Sequence, residues 1–423
     1  MVTDGLMSAT FSSASVRAVL LSLGVTLLGL TPGWAQHAHH NHGGGKPEKA
    51  KLCKEATLAC ASTVTPTFAQ DGTLWLAFAA AGRIMVTKST DLGRSFADAV
   101  PVNADVQQLD WGPDSRPKIV VEPSGRITVA FAIFKDKAFN GQVFVSQSED
   151  GGKSFSAPKA VTNDPESQRF EALGLDTEGR VFAAWLDKRN RPAARARGEK
   201  YAGAALAYAW LSGVPASGEV KLAKDNTCEC CRVAVAFAGA GQPVVLFRNI
   251  FEGSVRDHAV ITFADPATPG PVKRVSDDGW KTEACPHHGP SLAVSPQGTY
   301  HVAWFTNGAK RDGLFYAHSR DRGETFSAPV PLGAASRQPS RPALLATAEA
   351  AHAVWMEYDG KAMALMGMRS GDDGRTWSAP QEIARNEAES DHPQLLTQGG
   401  RVFVAWKSRG AEGFRLIALE ATR

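Results

Sequence analysis

One apolar motif returns at a near-constant interval along this 423-residue chain, and that return limits the fold more than any other feature. Short alternating strands end in Ala-aromatic, or a close variant, at Phe78, Phe131, Trp185, Phe247, Trp304, Trp355 and Trp406, 51 to 62 residues apart. About 50 residues make one four-stranded blade of a propeller. The seven strands therefore predict an all-β propeller of seven four-stranded blades, with six open only if the first and last units merge. A second short apolar strand precedes each, as at 117–121, 342–345 and 393–396. The last unit runs out one strand short after 414–419. The stretch 51–58 is expected to supply that outer strand and close the ring, which removes open sheet edges.

Four octets carry a second repeat, Ser-x-Asp-x-Gly-x-Ser/Thr-aromatic. They are STDLGRSF at 89–96, SEDGGKSF at 148–155, SRDRGETF at 319–326 and SGDDGRTW at 370–377. The carboxylate can accept bonds from turn N–H groups, glycine takes the positive-φ position, and the aromatic folds back over the turn. Each octet predicts a tight hairpin between the third and fourth strands of its blade. These octets resemble the Asp boxes of the sialidase superfamily and other bacterial-neuraminidase-repeat proteins, across nearly all of 51–423. More narrowly, three stretches resemble an exported bacterial family whose members are grouped as sialidase-like on fold alone. They are Cys228-Glu-Cys230-Cys231-Arg232, Arg248-Asn249 to Arg256-Asp257, and Gly279-Trp280 to Cys285-Pro-His-His-Gly-Pro290. Asp boxes are structural devices, so this resemblance implies a fold and not an activity.

The N-terminus reads as an export signal. Arg17 precedes a short apolar run at 18–30, and small residues flank a cut after Ala35. Thirteen apolar residues are too few to span a bilayer. The expected organisation is a signal peptide at 1–35, a His/Gly-rich tail at 36–50 and the propeller at 51–423. The mature chain would then be periplasmic or secreted, with no membrane span after cleavage. The tail holds His37, His39, His40 and His42, a composition suited to transition-metal capture. A net charge of +3, from 46 basic and 43 acidic residues, excludes a nucleic-acid surface.

In a propeller the loops that enter the inner strands converge on one face around the axis. Here they bring Asp114-Ser115-Arg116, Gln168-Arg169, Cys230-Cys231-Arg232, His287-His288, Ser340-Arg341 and Asp391-His392 to a single rim. Two chemistries compete for it. Resemblance to sialidases implies a clamp of arginines on a substrate carboxylate, with Arg116, Arg169, Arg232 and Arg341 as candidates. It also implies a Tyr nucleophile paired with Glu, for which Tyr358 beside Glu357 is the candidate. The expected Arg-Ile-Pro motif is absent, since Arg83-Ile84 is followed by Met85. The plainer reading makes these arginines ion-pair bridges between blades.

Sulfur carries the other chemistry. Thiolate and imidazole together suit copper in its cuprous state, or zinc. Cys228, Cys230, Cys231, Cys285, His287, His288, His392 and His258 are the candidate ligands. The alternative is disulfides, with Cys228 or Cys230 bonded to Cys285 across two blades, while Cys53 and Cys60 form a local staple. The leading expectation is an exported metal-binding, copper-handling propeller whose partner is a metal ion or small ligand. An exo-sialidase-like glycoside hydrolase is the enzyme alternative. A non-catalytic scaffold for a glycan or an envelope protein is the third.

Overall fold

Each of the seven Ala-aromatic strands is the second strand of its own antiparallel sheet in the computed structural model, which describes residues 55–213, 217–284, 287–409 and 413–419. The inner strands of the seven sheets are Val64–Phe68, Lys118–Val121, Gln168–Leu175, Ala234–Phe237, Ser291–Val294, Ser340–Ala346 and Gln394–Gln398. Every sheet runs outward in sequence order, so the chain forms a propeller of seven blades.

The alternating sequence explains how blades stack. Seven apolar clusters each lie between successive sheets, and one of them joins the last sheet to the first. In strand Pro243–Arg248, Val245 and Phe247 pack toward the third blade, while Val244 and Leu246 pack toward the fifth. Side chains two apart share a face, so one strand feeds two interfaces.

The four tryptophans that end these strands are fully buried, and each indole N–H must find an acceptor. Trp185 donates to Asp187, Trp304 to Asp278, Trp355 to Glu357 and Trp406 to the Asp391 carbonyl. Glu357 also accepts from the Ala334 N–H and pairs with Arg337, while the Tyr358 hydroxyl donates to the Gly360 carbonyl. Glu357 is therefore an indole acceptor, and it makes no bond to the Tyr358 hydroxyl.

All four octets form the expected hairpin between third and fourth strands. In the first, Asp91 accepts from the Arg94 and Ser95 N–H groups at 3.0 and 2.9 Å and from the Ser95 hydroxyl at 2.6 Å. The Gly93 N–H donates to the Ser89 hydroxyl at 2.8 Å. Asp150, Asp321 and Asp372 repeat the arrangement. Hydroxyl and amide donors hold these carboxyls below the usual range, at about 2 for Asp321.

Closure departs from expectation. Of residues 51–58, the first four lie outside the described residues, and the remainder adds no strand to the seventh sheet, which has three described strands. Ala56, Leu58 and Cys60 instead lie half-buried on the apolar cluster between the first and last blades, where Phe414 and Leu416 also pack. The short turn Leu58–Cys60 lies against strand Leu74–Ala80 of the first. The signal peptide, the histidine tail and Cys53 lie outside the described residues, and no described helix is long and apolar enough to cross a membrane.

Candidate metal centre

The loop from the third blade into the fourth is woven into its neighbours before it delivers any sulfur. Thr227 bridges Asn249, the Cys228 N–H donates to the Arg248 carbonyl at 2.9 Å, and the Ile250 N–H donates to the Asn226 carbonyl at 2.9 Å. Gly203 is required here, because a Cβ would meet the Thr227 carbonyl oxygen at 2.4 Å. So anchored, the chain turns at Glu229–Cys230 and brings three thiols together. Cys228 Sγ lies 3.7 Å from both Cys230 Sγ and Cys231 Sγ, and all three sulfurs fall within 4.8 Å of one another. The cysteines are 1%, 4% and 2% exposed, packed among Phe170, Leu206 and Phe247.

Two guanidiniums face this cluster. Arg256 reaches Cys228 Sγ at 3.5 Å. Arg248 is 1% exposed and donates only to backbone carbonyls, of Arg256, His288 and Phe305, while its guanidinium lies 4.3 Å from the Trp280 ring. No carboxylate among the described residues pairs with Arg248. Hydrogen bonds from Cys230 and Cys231, reinforced by Arg248 and Arg256, pull the Cys228 thiol well below its ordinary range. Cys231 is pushed up to about 12, chiefly by its bond to Cys228.

The segments that resembled an exported family interlock here. Asp257 accepts from the N–H groups of Asp278, Gly279 and Trp280 and pairs with Arg274, so it shapes the turn that sets Trp280 over Arg248. The His288 ring stacks on Phe305 with centroids 4.1 Å apart. A short helix, Arg191–Ala196, lies in the connection between strands Val181–Asp187 and Ala204–Leu211. That connection is tied to the cysteine loop by the pairs Lys188–Glu229 and Asn190–Asp225.

The structure brings together Cys228, Cys230 and Cys231 from the expected ligand set, and leaves the described histidines outside that group. Cys285 lies outside the described residues. His287 is in the left-handed region and gives its carbonyl to Arg341. His258 is buried with both ring nitrogens unpartnered, and burial together with Arg248 and Arg232 keeps its imidazole neutral. Burial and then Arg341 hold His288 down to about 3, and His392 is likewise pushed well below its ordinary range.

The rim arginines converge, but on carboxylates. Arg116 forms a bidentate pair with Asp391, Arg169 pairs with Asp110 at 2.5 Å, and Asp114 takes Arg232 at 2.7 Å and Arg341 at 3.7 Å. His392 Nδ1 lies 3.4 Å from Arg232. The second, fourth, sixth and seventh blades are thus linked across the axis, and each of the four guanidiniums already has an anion.

Arg248 and Arg256 were not anticipated as site residues. A signal exists for the first. The position after the strand aromatic is apolar in five blades and basic only at Arg248 and Lys407.

No family model matches the chain, and no curated protein matches it. Among solved structures it is similar to the BP39L lectin from Burkholderia pseudomallei, at 13% identity and TM-score 0.57, over 85% of this chain and 99% of that one. It is also similar to a PL25 ulvan lyase bound to -[GlcA(1-4)Rha3S]-, at 11% identity and TM-score 0.53, over 85% and 94% of the two chains. The Hadza microbial sialidase Hz136 matches at 14% identity and TM-score 0.48, over 86% and 66%. At such identities the likeness is one of fold alone.

Proposed function

We propose that this chain is an exported propeller that binds a soft metal ion, copper in its cuprous state, on Cys228, Cys230 and Cys231. The observation that carries the reading is the three-sulfur cluster beside Arg248, a buried guanidinium with no carboxylate partner among the described residues. A buried unpaired cation costs several kcal/mol. Thiolates supply the missing anion, and a bound metal keeps them deprotonated.

Spacing supports the same reading. Metal–sulfur bonds of about 2.3 Å place two sulfurs about 3.8 Å apart in a tetrahedral site and about 4.0 Å apart in a trigonal one. The 3.7 Å separations need little adjustment to hold an ion. Three thiolates are soft donors, which suit cuprous ion.

Glycan recognition on the same face is the second reading, and one observation favours it. Trp111 is 52% exposed on the loop that carries Asp114, where an aromatic face could meet a sugar ring.

Anaerobic titration of the reduced protein with cuprous ion, against a chromophoric chelator, tests the metal reading. Wild type and Cys228→Ser are compared, so that any contribution of the histidine tail cancels. The variant is expected to lose one high-affinity equivalent, with affinity at that site down at least about 100-fold. Arg248→Met is expected to cost about 10–100-fold, the usual effect of losing a group beside the ligands. Equal binding by wild type and Cys228→Ser would reject the thiolate site.

A further inference from the structure

We propose that Cys228 and Cys231 are a two-electron oxidation site, closing to a disulfide with a small peroxide and leaving Cys230 as the remaining thiol of the loop. The inference rests on the same cluster as the metal reading, but it needs no metal to be tested.

Position in the turn selects the pair. Glu229 and Cys230 are the central residues of the turn, so Cys228 and Cys231 are its first and fourth residues. Such residues have Cα atoms less than about 7 Å apart, and a disulfide needs about 4.4–6.8 Å. Their sulfurs are 3.7 Å apart, so bond formation requires an approach of under about 2 Å. Cys230 and Cys231 are adjacent in sequence, and adjacent cysteines rarely bond. Cys228 and Cys230 are equally close in space, but a bridge between them would have to close within the turn itself.

Access fits a small oxidant better than a protein one. The sulfurs are almost fully buried, while Glu229, between them in sequence, has 30% of its side chain exposed. Hydrogen peroxide is small enough to pass a brief local opening. The Cys228 thiolate attacks one peroxide oxygen, the O–O bond breaks, and Cys228 sulfenic acid and hydroxide form. Cys231 sulfur then attacks the Cys228 sulfur, the S–O bond breaks, and the thiol proton leaves with the departing oxygen as water. The net change is two thiols plus one peroxide to one disulfide plus two waters.

A metal on the three sulfurs would lose two ligands in this step. Oxidation would therefore release the ion, and reduction would restore the site.

Peroxide treatment of reduced, metal-free full-length protein, followed by alkylation and tandem mass mapping, tests the proposal. The expected product is a Cys228–Cys231 disulfide with Cys230 alkylated, reversed by a dithiol reductant. Cys230→Ser should still give the Cys228–Cys231 bond as its disulfide product, and Cys231→Ser should fall at least tenfold in disulfide yield. Sulfinic acid at Cys228 without a disulfide, or undiminished yield in Cys231→Ser, would overturn it. If the disulfide forms while the reduced protein binds no cuprous ion, the metal reading fails and the oxidation site stands. If cuprous ion binds and no disulfide forms, the reverse holds.

Discussion

Glu171 sits on the inner strand of the third blade, 1% exposed, with both carboxylate oxygens unpartnered. Burial raises its carboxyl to about 7, against the attraction of Lys118, and burial lowers Lys118 to about 8. A raised acid binds its proton more tightly in the folded chain than in the unfolded one. Its contribution to stability is full below the ordinary glutamate range and is lost as pH rises through 7. Depressed His258, His288 and His392 add stability as pH rises through the ordinary imidazole range, so Glu171 is isolated by comparison with Glu171→Gln, whose urea midpoint is expected to gain on that of the wild type between pH 4.5 and 7.5. An equal pH dependence in the two proteins would show that Glu171 is solvated.

Arg248 is marked in sequence only as a basic residue at a position that is apolar in five blades, and Glu171 is marked by nothing comparable. Their significance comes from missing partners, and a missing partner is a property of packing. The cysteines were legible because sulfur is rare and their spacing is short. The four rim arginines were legible in position, and ion-pair bridging between blades, the plainer of their readings, is what they do; their partners were not legible. Asp114 lies more than 100 residues from Arg232 and Arg341, so no local pattern could reveal that it already holds both.

At the scale of elements, the octets specify their own geometry almost completely. Two consecutive residues take positive φ in each, namely Leu92-Gly93, Gly151-Gly152, Arg322-Gly323 and Asp373-Gly374. Both central positions of a tight hairpin turn need that conformation. Gly374 adds a tertiary reason, because a Cβ there would meet the Tyr316 hydroxyl at 2.0 Å and the His301 ring at 3.0 Å. Tyr316, His301 and Asp373 form one chain of bonds linking the fifth and sixth blades, at 2.8 and 3.1 Å. Gly374→Ala is therefore expected to cost about 2–4 kcal/mol, from backbone strain and displacement of this chain. Gly371→Ala, three residues away with only the end of Arg369 nearby, should stay within about 0.5 kcal/mol. Denaturant unfolding of both variants checks this, and equal effects would mean that the turn relaxes freely. The described part of 51–58 forms no strand, because its half-buried Ala56 and Leu58 can pack on the cluster between the first and last blades without strand pairing.

At the scale of the whole molecule, a ring of blades must hold its last member to its first. Asp391, at the entrance to the seventh blade, accepts from the Val64 N–H of the first blade at 3.0 Å. It also accepts both outer nitrogens of Arg116 from the second, at 3.1 and 2.5 Å. Gln394 donates to the Val64 carbonyl, and Phe68 packs on Phe403 at 5.8 Å. One carboxylate thus fastens three blades at the point where the sequence has no covalent continuity. Asp391 is 3% exposed and Arg116 5%, so neither charge has water to fall back on. Asp391→Ala would strand Arg116 as a buried cation and leave the Val64 N–H without its acceptor. The expected loss is about 3–5 kcal/mol. Replacing the pair together, as Arg116→Met with Asp391→Leu, should recover much of that loss, because the stranded charge is then gone. If ring closure rests mainly on the Phe414 and Leu416 packing, Asp391→Ala will unfold within about 1 kcal/mol of wild type. Urea unfolding of the three proteins separates the two cases, since only a clasp that fastens the ring makes the single variant worse than the double.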